Sequence, residues 1–253
     1  MKRTCAKGKV GAAFQCVDAP RFANFRAEAQ QVIDKMPLQH SGMNSKDPHQ
    51  GIVMVVYRKL ISSAYATIQT VLQCQLPIEI WFRRDEVRRA PGALDPLENL
   101  ARDDKEGQMT FREISDNHAV HFGTKIFAIS HSRFDQVLFR DADNVPVRDP
   151  TYLFKSPEFV KTGAVFWPDY WHPQNTIFLI DERSLVWQLL DLPFTDMFER
   201  ESGQLLIDRR RHAKPLELVA YYTKHWPDYF KRLGLAWGDK DLFRFAWLVI
   251  SYG

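Results

Sequence analysis

The residues with the clearest chemical potential are Asp141 and Asp143, in Asp141-Ala142-Asp143-Asn144. They follow the run Gln136-Val137-Leu138-Phe139-Arg140, which reads as a buried strand ending at the edge of a sheet. Carboxylates at i and i+2 offer hard oxygen ligands, a pattern that suits Mg²⁺ or Mn²⁺ holding a phosphate. The same tripeptide also occurs in ordinary solvated turns, and Asp141-Ala142-Asp143-Asn144-Val145 satisfies the D-x-D-x-[TV] pattern of haloacid-dehalogenase-type phosphotransferases. Against a phosphotransferase, that pattern normally follows the first strand of its domain, whereas at least two strands are predicted before it here. A second group is Trp167-Pro168-Asp169-Tyr170-Trp171-His172. Aromatic rings interleaved with an acid and an imidazole suit a sugar, whose apolar face stacks on a ring while its hydroxyls pair with polar groups. A core plug between sheet and loop would not need the acid or the imidazole.

The elements that must position these groups are legible in outline. Ile52-Val53-Met54-Val55-Val56-Tyr57 after Gly51 is a strand buried on both faces. Residues 60–73 carry Ile61, Ala64, Tyr65, Ile68, Val71 and Leu72 at helical spacing, and residues 76–82 form a second strand, completing a βαβ unit. Residues 83–116 are charged and proline-containing, with one or two helices. Arg140 is out of place in a buried strand and is expected to leave the sheet end and meet an acid or phosphate. Residues 145–150 form an extended loop, and 163–167 another strand. Residues 201–204 are expected as a loop leading to a strand at 205–208, followed by a helix over 215–226. The basic run Arg209-Arg210-Arg211-His212 reads as a solvated helix entrance, with an anion contact second. Asp239 or Asp241 is a candidate N-cap for the last helix. Residues 1–48 show little periodicity beyond a short helix over 22–33, and His40 and His49 sit in a polar loop.

The 253 residues are 45% hydrophobic and 13% aromatic, ample for a packed core, and the net charge of +3 is too mild to argue for nucleic acid. Cys5, Cys16 and Cys74 have no metal-ligand spacing, though Cys5 and Cys16 are able to pair outside the main domain. No run of about 18 apolar residues is present to span a membrane, and no apolar signal core follows Met1-Lys2-Arg3. The final apolar stretch, ending at Tyr252-Gly253, reads as an incomplete chain.

Five stretches in order carry a family resemblance: Leu76-Pro77-Ile78-Glu79-Ile80, residues 134–154 (FDQVLFRDADNVPVRDPTYLF), 163–171 (GAVFWPDYW), 201–208 (ESGQLLID) and 238–247 (GDKDLFRFAW). Across residues 51–247 the chain resembles the mannosyltransferases of fungal and oomycete Golgi enzymes, glycosyltransferase family 71, which add α-1,2- or α-1,3-linked mannose. The resemblance implies an α/β, GT-A-like (Rossmann-like) single domain over 49–253, with a mixed, mostly parallel sheet and an N-terminal extension over 1–48. It implies a GDP-mannose donor, a mannosylated glycan acceptor, Mn²⁺ or Mg²⁺, retention of configuration, and no nucleic-acid partner. Asp141 and Asp143 are then the metal acids. Tyr57, Arg58, Lys125, Asp141, Ala142, Asp143, Gly203 and Gln204 meet the nucleotide-sugar, and Trp167, Asp169, Tyr170 and Trp171 the acceptor. Asp239 and Glu201 are the candidate catalytic carboxylates, because C1 acquires oxocarbenium character as its leaving group departs. Such enzymes reside in the Golgi lumen as type II membrane proteins, here without the anchor. Two departures stand out: Arg140 replaces an apolar residue before the acids, and no C-terminal histidine ligand is visible. They motivate a further alternative, a glycan-binding homologue without activity.

Overall fold

The computed structural model describes residues 16–36, 48–74, 76–169, 180–236 and 238–252. In chain order the elements are α1 (Ala19–Asp34), β1 (Gln50–Val55), α2 (Ile61–Val71), β2 (Ile78–Phe82), α3 (Arg84–Arg88), α4 (Asp95–Asp103), β3 (Met109–Glu113), α5 (Gly123–His131), β4 (Gln136–Arg140), α6 (Pro157–Thr162), β5 (Ala164–Pro168), α7 (Leu185–Leu190), β6 (Arg200–Asp208), α8 (Ala213–Lys224), α9 (Tyr229–Arg232) and α10 (Lys240–Tyr252). By internal contacts the chain divides into a unit of residues 40–167 and 202–213 and a unit of residues 1–39, 168–201 and 214–253.

The first unit holds the sheet, ordered β3-β2-β1-β4-β6-β5, apart from the outermost residues of β5 and β6. β3, β2, β1 and β4 run parallel, with Ile52 opposite both Ile78 and Leu138, while β6 is antiparallel to β4. The apolar run of β1 is buried throughout from Gly51 to Val55, as a central parallel strand covered on both faces requires. Ile52, Met54, Ile78, Ile80, Leu138 and Leu206 face a core closed by Ala64, Ile68 and Val71 of α2 and Leu97 of α4. The opposite face is packed by α5 against β1. Gly51 admits the ring of Phe134: a Cβ there would lie 2.3 Å from a ring carbon.

Three expectations change. β3 lies inside the charged stretch read as helices and connections; as an edge strand, half-buried along its length, it lacks the apolar run that marks a central strand. β6 begins at Arg200, so the polar residues 201–204 are strand rather than loop. β4 contributes to this, since Gln204 pairs with Arg140 and Leu205 with Phe139, and Asp141 N donates to Gly203 O just beyond the ladder. The basic run is not a solvated entrance. Arg209 donates to the carbonyls of Ser130, Ser132 (2.6 Å) and Phe134 (2.8 Å), and Arg210 pairs with Asp135 at 2.7 Å. Arg211 donates to Val160 and Lys161 carbonyls, while His212 Nε2 meets the Thr162 carbonyl. Arg209, Arg211 and His212 thereby meet carbonyls where α5 and α6 end.

In the second unit, α1 buries Phe22, Phe25, Ala29 and Ile33. Phe25 is fully enclosed by the rings of Tyr221, Tyr222, His225, Tyr229 and Phe230, and Phe230 stacks on Phe245 of α10. Aromatic pairs at such separations add to plain area burial. The α1 helix is longer than the expected 22–33, because Pro20 in its first turn is compatible with helix initiation.

Candidate active site

The Asp141-Ala142-Asp143-Asn144 segment is a tight turn at the C-terminal end of β4, closed by Asn144 N donating to Asp141 O at 3.0 Å. Three further contacts hold it. Asp141 N donates to Gly203 O of β6 at 2.8 Å. The buried Thr67 hydroxyl of α2 donates to Ala142 O at 2.8 Å. Arg140 donates to Asn144 O at 2.8 and 3.0 Å and to its side-chain oxygen at 2.6 Å. Arg140 therefore does not leave the sheet end for an acid or phosphate. It is buried and clamps the turn, and burial lowers its guanidinium pKa. Ala142 is buried between the acids, Asp141 is partly exposed and Asp143 is exposed.

Lys125 of α5 faces Asp141. Its ammonium is buried, donates to Ser202 O at 2.8 Å and Ser202 Oγ at 3.1 Å, lies 3.4 Å from Asp141 Oδ1, and sits 5.0 Å above the Phe139 ring. Oxygen acceptors and a carboxylate make an enclosed cation tolerable and fix it in place. Tyr57, just beyond β1, is hydrogen-bonded to Thr124 Oγ1 at 2.6 Å, and burial raises its phenol pKa. Arg58 is exposed in the following turn. Tyr57, Lys125, Asp141 and the Gly203 backbone are thus brought together. Gln204, next along β6, lies with Arg140 on the other face.

In the second unit, Lys240 Nζ bridges Asp169 Oδ2 and Glu199 Oε2, both at 2.7 Å. Burial pulls its pKa down, but the hydrogen bonds it donates to the two carboxylates outweigh burial and leave it raised. Asp241 and Arg244, one turn apart on α10, form a fully buried pair at 3.1 Å. Desolvation dominates there and pushes the Asp241 carboxyl up to about 6. Asp239 is buried and Glu201 half-buried. Tyr170 and Trp171 lie outside the described residues, as do Cys5 and His40.

Sequence reasoning missed Thr67, Ser202, Asn144 and Glu199, which hold the named residues in place. Thr67 left a trace: it is polar, yet three positions from Ala64 on the apolar stripe of α2. Among the described residues no three His, Cys, Asp or Glu side chains cluster to chelate a metal ion. The donor set at the turn is the two aspartates, which fits ions that take one or two carboxylates and fill their remaining positions with phosphate and water.

Residues 49–182 and 191–252 match the family described as "Mannosyltransferase putative". The chain belongs to this family. Among similar proteins, alpha-1,2-mannosyltransferase MNN21 of Candida albicans is 27% identical over 225 residues, 70% of this chain and 34% of that protein. Alpha-1,2-mannosyltransferase MNN5 of Saccharomyces cerevisiae is 27% identical over 179 residues, 52% of this chain and 30% of that protein. The chain spans about a third of the length of these relatives. Among solved structures, the galactosyltransferase LgtC with donor and acceptor sugar analogues superposes with a TM-score of 0.52 at 14% identity, covering 77% of this chain and 69% of that one. The mannosyltransferase Ktr4p of S. cerevisiae with GDP gives 0.51 at 12% identity, covering 90% and 76%. At these identities the likeness is one of fold, and the fold is the GT-A-like α/β architecture expected from the resemblance.

Proposed function

We propose that the chain is the transferase region of a metal-dependent, retaining α-mannosyltransferase that moves mannose from GDP-mannose to a mannose-containing glycan in the Golgi lumen. The observation that carries this reading is the clamped Asp141–Asn144 turn with the buried Lys125 ammonium against Asp141, in a chain of this family. Asp143 and Asp141 would hold Mn²⁺ or Mg²⁺. Bound there, the ion supplies Lewis-acid neutralisation of charge growing on the departing nucleoside diphosphate. Lys125 adds a fixed positive charge on the same face, and because it is already oriented by Ser202 it needs no reorganisation during reaction. Tyr57 and Arg58 are assigned to the nucleotide, with Ala142 and Gly203 contributing to the donor region; Gln204, on the other face of the sheet with Arg140, is not assigned to it. Asp239 and Glu201 are assigned to stabilising the developing oxocarbenium charge or to sugar hydroxyls. Trp167, Asp169, Tyr170 and Trp171 are assigned to the acceptor, with Asp169 oriented by Lys240. Three strands precede β4, the strand that carries the turn, which disfavours the phosphotransferase alternative. Among the described residues no helix is long and apolar enough to cross a membrane.

Calorimetric titration with GDP in Mn²⁺, then in EDTA, with UDP as control, tests the assignment. Tight, metal-dependent and guanine-selective binding is expected. Asp143→Ala should abolish it while circular dichroism shows an intact fold. Undiminished GDP affinity in that variant would sink the metal-site assignment, and glycan binding without any nucleotide affinity would favour the inactive homologue.

A further inference from the structure

Successive side chains on a strand point to opposite faces. Asp141 lies on the face where Lys125 sits above Phe139. Arg140 lies on the other, the face of Leu138 and α2. On that face the loop after the Asp141–Asn144 turn and the end of β5 enclose a recess of about 270 Å³. Its principal polar and aromatic lining is Arg140, Asn144, Arg148, Tyr152, Trp167 and Gln204, with no carboxylate among the described residues that line it. Asp149, the nearest acid in the loop, turns instead to the backbone N–H of Thr151 at 2.9 Å.

The chemistry of this lining differs from that of the Asp141 face. Arg140 uses Nε and Nη2 on Asn144, while its Nη1 makes no hydrogen bond among the described residues. Arg148 lies 3.9 Å above the Tyr152 ring. A guanidinium stacked through its π face keeps its N–H edge for an oxyanion. Tyr152 is 44% exposed and Trp167 half-buried, so aromatic surface borders the recess where the C–H face of a pyranose would lie. The Asn144 and Gln204 amides suit hydroxyls. Two guanidinium groups with no carboxylate among the lining residues give the recess a positive charge, which an oxyanion matches better than a neutral hydroxyl does. A volume just below the roughly 300–1,000 Å³ of ordinary ligand pockets suits one sugar unit.

We propose that this recess binds an anionic saccharide, one sugar unit bearing a phosphate or carboxylate, and that it holds such a group on the acceptor glycan. The acceptor role rests on the transferase reading; the binding does not. The test is calorimetry on the full chain, without nucleotide or Mn²⁺, against mannose 6-phosphate, glucuronate, mannose and inorganic phosphate. At least one charged sugar is expected to bind about tenfold or more tightly than mannose. Which charged sugar prevails tells phosphate from carboxylate. Arg148→Glu should remove the preference and leave Mn²⁺-dependent GDP affinity unchanged; Arg148→Gln should weaken it. No preference over mannose, or one that survives both variants, overturns the proposal. Inorganic phosphate binding as tightly as the sugar phosphate overturns its saccharide part. Loss of GDP binding by the wild type, with the sugar preference intact, would fell the transferase reading and leave the recess standing.

Discussion

Replacing Thr67 with valine keeps the shape of the side chain and deletes one hydroxyl. That hydroxyl is buried in α2 and donates to the Ala142 carbonyl at 2.8 Å, between the two acids of the turn. In Thr67→Val the carbonyl stays enclosed without its donor, a loss of about 1–3 kcal/mol for a buried unsatisfied acceptor. For a chain of this size each kcal/mol moves the midpoint by about 2–4 °C, so thermal unfolding should shift down by roughly 2–12 °C. The turn keeps its bonds to Gly203 and its clamp from Arg140. Mn²⁺-dependent GDP affinity should therefore fall, but by less than about tenfold, the equivalent of roughly 1.4 kcal/mol. Thr67→Ser separates the two effects. It keeps the hydroxyl and loses a buried methyl, about 1 kcal/mol, so stability should drop while GDP affinity is unchanged. Differential scanning calorimetry and GDP titration of both variants read this out. A Thr67→Val protein that melts within a degree of wild type, or a Thr67→Ser protein that loses GDP affinity as Thr67→Val does, would refute the anchor.

Two further outcomes follow from charges in the two units. Lys125→Met removes a cation held by Ser202 and Asp141; GDP affinity should fall about 10- to 100-fold, as for one charge-assisted contact, and unchanged affinity in calorimetry would remove Lys125 from the donor site. Asp241 is pushed up to about 6 chiefly by desolvation, against an ordinary 3.8. The folded chain therefore holds this proton more tightly than the unfolded chain, and its contribution is present below the ordinary value and lost as pH rises through 6. The stability of wild type relative to Asp241→Asn should decline by on the order of 3 kcal/mol between pH 4 and 7 in urea titrations. A difference that is flat with pH would contradict the assignment.

Much of the fold was legible locally. The apolar run of β1, the helical spacing of α2 and the two acids after β4 each carry their message within a few residues, because burial on one or two faces imposes a period that neighbouring residues display. Asp141 and Asp143 were nominated on that basis, and the five ordered motifs named the family that the chain belongs to. What the sequence did not carry is the identity of partners distant in the chain. Gly203-Gln204 has no strand pattern of its own and joins β6 beside β4, where Gln204 pairs with Arg140 and Gly203 O accepts from Asp141 N. Arg140, expected to leave the sheet end, is buried and clamps Asn144 through Nε and Nη2, since a buried guanidinium takes nearby carbonyl oxygens. Arg209 and Arg211 looked like a solvated basic run and are spent on the ends of α5 and α6. Residue type and spacing determined which groups carry chemistry. Only the tertiary structure decided which of them are already occupied, because a hydrogen-bond partner some 50 to 80 residues away leaves no trace in local periodicity.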